Sequence, residues 1–77
     1  MPFNNQITEE LNILAQFNLT TTQEGLKIHS SAEPALVAAA QRLHDKGLTT
    51  QPDGGYLTEL GRKAALHTQD LLSMLHE

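Results

Sequence analysis

The sequence predicts one mainly helical domain with a small β-hairpin, in the order α-α-α-β-β-α. Three observations point to it. Apolar residues recur every three or four positions over residues 7–17, 36–43 and 57–75. Capping residues Thr8, Thr21, Ser30 and Thr58 stand ahead of the four helical segments. The run "LTTQPDGGYLT" joins two β-compatible stretches through strong turn chemistry. A chain of 77 residues makes a single domain spanning 1–77. At that size about 60% of the unfolded surface is buried, and with no Cys there is no disulfide to staple the fold.

The first helix is expected to start at Thr8, with Glu9 and Glu10 in its positive first turn. Ile7, Leu11, Leu14 and Phe17 form its apolar stripe, and it ends near Asn18. Thr21 and Glu24 have capping-box spacing, which predicts a short second helix anchored by Leu26 and Ile28 and weakened by Gly25. Ser30 and Glu33 repeat that spacing ahead of the third helix, where Pro34 is tolerable only in the first turn. Leu36, Ala39, Ala40 and Leu43 point inward, and Ala38, Gln41, Arg42 and Asp45 point outward. Gly47 and Leu48 read as a Schellman ending, with Gly47 left-handed. The hairpin follows, with Gly54 and Gly55 closing its turn and Leu57 facing the core. Thr58 caps the last helix, whose inward stripe is Leu60, Ala64, His67, Leu71 and Met74. Leu75, Ala65 and Leu72 broaden that face, and Gly61 marks a close approach of another segment.

The formal net charge is −4, which counts against a non-specific polyanion binder. All five cations, Lys27, Arg42, Lys46, Arg62 and Lys63, lie after residue 24. The N-terminus has neither a basic region nor an apolar run, so a soluble, cytoplasmic protein without a membrane partner is expected. The four His are never three or four residues apart, no Gly-rich phosphate loop is present, and a Cys nucleophile is impossible. No catalytic residue, metal site or cofactor is therefore assigned, and the chain is read as a non-enzyme.

The run "LHDKGLTTQPDGGYLTELGRKAA" resembles the end of many winged helix-turn-helix regulators. There a reading helix ends in Leu-x-x-x-Gly-Leu, matched by Leu43, Gly47 and Leu48, and a wing follows. Leu-Thr-x-x-Gly then opens the next helix, matched by Leu57, Thr58 and Gly61. Over its length, through "MPFNNQITEELNILAQFNLTTTQEG" and "GGYLTELGR", the chain is similar to a family of small bacterial proteins labelled DNA-binding proteins or regulators. The resemblance implies a transcriptional regulator that binds double-stranded DNA with the third helix. Its candidate contacts are Ser31, Ala38, Gln41, Arg42 and Lys46: Gln suits adenine, Arg suits guanine, and Lys46 suits a phosphate. Two features depart from the pattern: Glu33 sits at the start of the reading helix, and the wing carries Asp53 and no cation.

The alternative is a protein-interaction or dimerisation module that leaves DNA alone. The acidic balance and cation-free wing suit it. Ala65, Leu72 and Leu75 are the candidate contacts for a homodimer or another protein.

Overall fold

A computed structural model describes residues 2–21 and 23–76. The order is α1 (Asn5–Leu14), β1 (Leu26–Lys27), α2 (Pro34–Asp45), β2 (Thr49–Gln51), β3 (Gly54–Leu57) and α3 (Glu59–Leu75). α1 packs on α2 and α3, and α2 and α3 pack on a small antiparallel sheet ordered β1-β3-β2. The core is Ile13, Leu14 and Phe17 from α1 and its exit, Ile28 beside β1, Ala39, Ala40 and Leu43 of α2, and Ala65 of α3.

α1 begins one turn earlier than its sequence suggests. Asn4, not Thr8, is the N-cap, and its Oδ1 accepts the Ile7 amide at 2.8 Å. Glu9 and Glu10 consequently fall in the second turn, beyond the reach of the dipole argument. The regular helix stops at Leu14, and tighter turns carry the chain to Phe17. Gln69 of α3 closes this end, its side-chain amide donating to the carbonyls of Leu14 (3.2 Å) and Phe17 (2.8 Å).

Among the described residues the expected second helix is absent, and β1 lies in its place. Thr21 Oγ1 accepts the amide of Gln23 rather than that of Glu24 (3.1 Å), which makes a local turn and starts no helix. Leu26 and Ile28 do anchor the core, but with the two-residue alternation of a strand. Ile28 is buried, Lys27 points to solvent, and Leu26 pairs with Gly55. Pairing to β3 decides the matter, since Gly25 makes a short helix there costly.

α2 starts at Pro34 with Glu33 as its cap residue and no side-chain capping bond, so the Ser30 capping box does not form. Pro at the first helical position has no N–H and so needs no acceptor, and its fixed φ suits the helix start without the box. The far end follows the sequence. Gly47 takes φ 79, its amide donates to His44 O, and the Leu48 amide donates to Leu43 O at 3.0 Å, the two bonds of a Schellman ending. In the hairpin, Pro52 and Asp53 form the turn, and Gly54 and Gly55 already belong to β3.

Thr58 caps α3, with Oγ1 accepting the Gly61 amide (3.0 Å) and donating to Gly47 O (2.6 Å). A Cβ at Gly61 would collide with the Leu48 carbonyl. α3 therefore docks by its small side, Gly61 and Ala65. This overturns the expected inward stripe: Leu60, His67, Leu71 and Met74 face outward. No helix among the described residues is long and apolar enough to cross a membrane.

Candidate functional site

Two surfaces were in question, the outer face of α2 and the face of α3. On and beside α2 the five candidate DNA contacts divide into two groups. Ser31, Ala38 and Gln41 are exposed, and Gln41 Nε2 donates to Asp45 one turn on at 3.0 Å. Arg42 and Lys46 belong to another site. They stand one turn apart on the side of α2 that meets α1, where both converge on Glu10.

Arg42 Nε donates to Glu10 Oε2 at 2.8 Å and Lys46 Nζ to Oε1 of the same carboxylate. The Arg42 guanidinium also donates to the Gln6 carbonyl at 3.2 Å and lies 3.8 Å from Glu9. Glu10 is one of two buried polar residues among those described. Burial pushes its carboxyl up, but the hydrogen bonds and charges of Lys46 and Arg42 outweigh burial and hold it below the usual carboxylate range. Arg42 and Lys46 thus both bond across the α1–α2 joint, Arg42 part-buried and Lys46 half exposed. The signal was present in the sequence: an acidic pair in a cation-free segment, and Arg and Lys four residues apart on one later helix.

The hairpin adds little positive field. Asp53 at its tip pairs with the exposed Lys27 at 3.5 Å. Arg62 is not a free surface cation either, since it donates to the Leu19 carbonyl and ties α3 to the loop after α1.

The second surface is apolar. Phe3, Leu11 and Ala15 on one side and His67, Leu71, Leu72 and Leu75 on the other line an open groove between α1 and α3, with no carboxylate or cation in its lining. Met74 continues the exposed apolar surface to the helix end. Of the three candidate dimer contacts, Leu72 and Leu75 lie on this surface. Ala65 does not: it is 0% exposed, under α3 in the core, and unreachable by a second chain. The sequence missed Leu60, Leu71 and Met74 as surface residues because their spacing fits a buried stripe equally well.

Among the described residues no group of three or more His, Cys, Asp or Glu could hold a metal ion. Neither a curated protein nor a solved structure matches the chain. A family described as "Family of unknown function (DUF5669)" matches residues 1–76, and the chain belongs to that family.

Proposed function

We propose that the chain is a winged-helix-type interaction module that works by protein–protein contact through the exposed face of α3. The observation that carries this reading is the uncharged apolar surface between α1 and α3, left open by the domain's own core. Contiguous exposed apolar patches on small soluble domains mark binding surfaces. The winged-helix type is supported by the order of parts: the Schellman ending of α2, then the β2–β3 hairpin, then the Thr58 cap and Gly61 of α3. Against a polyanion partner stand the net charge of −4 and the engagement of Arg42 and Lys46 by Glu10.

A photo-crosslinking amino acid at Leu75, compared with one at Gln41, tests this in the native cell. A protein adduct at position 75 with none to DNA at position 41 supports the reading. A DNA adduct at position 41 with no protein adduct at position 75 overturns it.

One observation favours a second reading, a DNA-binding transcriptional regulator. Ser31 in the turn before α2 and Ala38 and Gln41 on α2 are exposed, and the hairpin beside them has the position of a wing. Gln41 and Ala38 would then meet an adenine edge and a thymine methyl.

A further inference from the structure

Leu60, Ala64, His67, Leu71 and Met74 are separated alternately by four and three residues. That is the 3.5-residue period of a seam between two helices. Leu60, Leu71 and Met74 are 57%, 50% and 78% exposed, so the large residues of the seam are left open by the domain, while Ala64 is half-buried beside the core. We propose that it pairs with the same seam of a second copy, α3 against α3, antiparallel, across a two-fold axis at His67. This rests on the reading of the α3 face as an interaction surface, and it names the occupant.

Three observations select a second copy. The first is shape. A two-fold axis at His67 sets Leu60 opposite Met74 of the other chain and brings the small Ala64 against the large Leu71, so the seam complements itself. An isologous contact needs that property. The second is charge. Lys63 and Asp70 are seven residues apart on one flank of the seam, and both are exposed. In the antiparallel pair each Lys63 lies beside the other chain's Asp70, giving two equivalent ion pairs. A parallel pair would turn Lys63 toward Thr68 and Asp70 toward Leu75, with no opposite charge to meet.

The third is area. The chain exposes 5387 Å², whereas a compact monomer of 8.5 kDa exposes about 4700 Å². The excess is close to the roughly 800 Å² that each partner buries in a standard interface. α3 has 17 residues and is about 25 Å long, enough for a two-helix contact over its whole length.

Sedimentation equilibrium on the full chain, from micromolar to millimolar, tests the proposal. A monomer–dimer equilibrium is expected. Leu71→Glu should abolish it while leaving the circular dichroism spectrum and melting curve unchanged, because that side chain is half exposed in the monomer. His67→Leu should tighten the dimer, about tenfold or more, by removing a polar residue from the seam. Lys63→Asp and Asp70→Lys should each weaken it about tenfold, and the double exchange should restore it.

A chain that stays monomeric at millimolar concentration overturns the proposal, as does a dimer indifferent to Leu71→Glu. A double exchange that fails to restore association overturns the antiparallel arrangement. If the chain is monomeric and the position-75 adduct is a different protein, the second copy is refuted and the interaction reading survives.

Discussion

Replacing Glu10 by Gln tests whether Arg42 and Lys46 are structural. The change is nearly isosteric, so it removes charge and one acceptor without opening a cavity. A hydrogen bond to a charged group contributes about 1.5–3 kcal/mol. The Arg42 bond falls in that range, because Arg42 is only 25% and Glu10 only 9% exposed in their side chains. Lys46 is 53% exposed, and water replaces most of what it loses, so its bond is counted at about 0.2–1 kcal/mol. Gln can still accept from Arg42, and Arg42 keeps the Gln6 carbonyl. The net loss is about 2 kcal/mol, a large part of the roughly 4–12 kcal/mol expected for a domain of this size.

Urea unfolding followed by circular dichroism should show a lower midpoint with an unchanged slope, and melting should fall by about 8–16 °C. The pH dependence supplies an independent check. The folded-state pKa of Glu10 lies below its unfolded value. Its contribution is therefore fully present above the unfolded value and is lost as pH falls through the folded one. The stability gap between the wild-type chain and Glu10→Gln should be full at neutral pH, begin to narrow near the ordinary Glu value of about 4.3, and close as pH falls through the lower folded-state value. Equal stability of the two proteins at neutral pH, or a gap that persists in acid, refutes the assignment.

Gly61→Ala should cost about 3 kcal/mol despite the better helix propensity of Ala, because its Cβ meets the Leu48 backbone carbonyl and not a movable side chain. A melting temperature equal to wild type contradicts the close approach. Gly47→Ala should cost about 1–2 kcal/mol, since nothing lies within 4 Å of its Cβ and the left-handed backbone is the whole penalty. Thr58→Ala should cost about 1–2 kcal/mol in urea unfolding, having lost both the cap to Gly61 and the bond to Gly47 O. In a salt series, mixed duplex DNA should show no binding at low ionic strength by the folded protein; tight binding that weakens steeply with salt favours the regulator instead.

Some features governed by a few adjacent residues were legible in the sequence, although Asn4 and Glu33, not Thr8 and Ser30, stand at the starts of the first two helices. The Gly47–Leu48 ending, the Thr58 cap and the tight approach at Gly61 all follow from local chemistry. The Thr21-x-x-Glu24-Gly25 segment was not, because its signals fit a weak helix and a turn equally. A partner strand some thirty residues away decides between them. α3 failed for a different reason. It carries one small-residue side, Gly61 and Ala65, and one large apolar stripe through Leu60, Leu71 and Met74. Spacing alone favours burying the larger residues, but the Leu48 carbonyl leaves room only for the small side.

The ion pairs of Arg42 and Lys46 escaped the sequence through the same kind of long-range term. Arg42 and Lys46 looked like surface cations while their acidic partner, in α1, was assigned to the helix dipole. Segregation of acids into α1 and cations into α2 was the available sign that these helices satisfy one another.

Backbone-amide NMR of the labelled chain, mixed with equimolar mixed-sequence duplex at low salt and then diluted, tests the central claim most directly. If the face of α3 is the working surface and its partner a second copy, shifts on dilution concentrate at residues 60–74, and the amides of Ser31, Ala38 and Gln41 do not respond to the duplex. Shifts confined to those three and their neighbours in α2, with residues 60–74 unmoved, would contradict it.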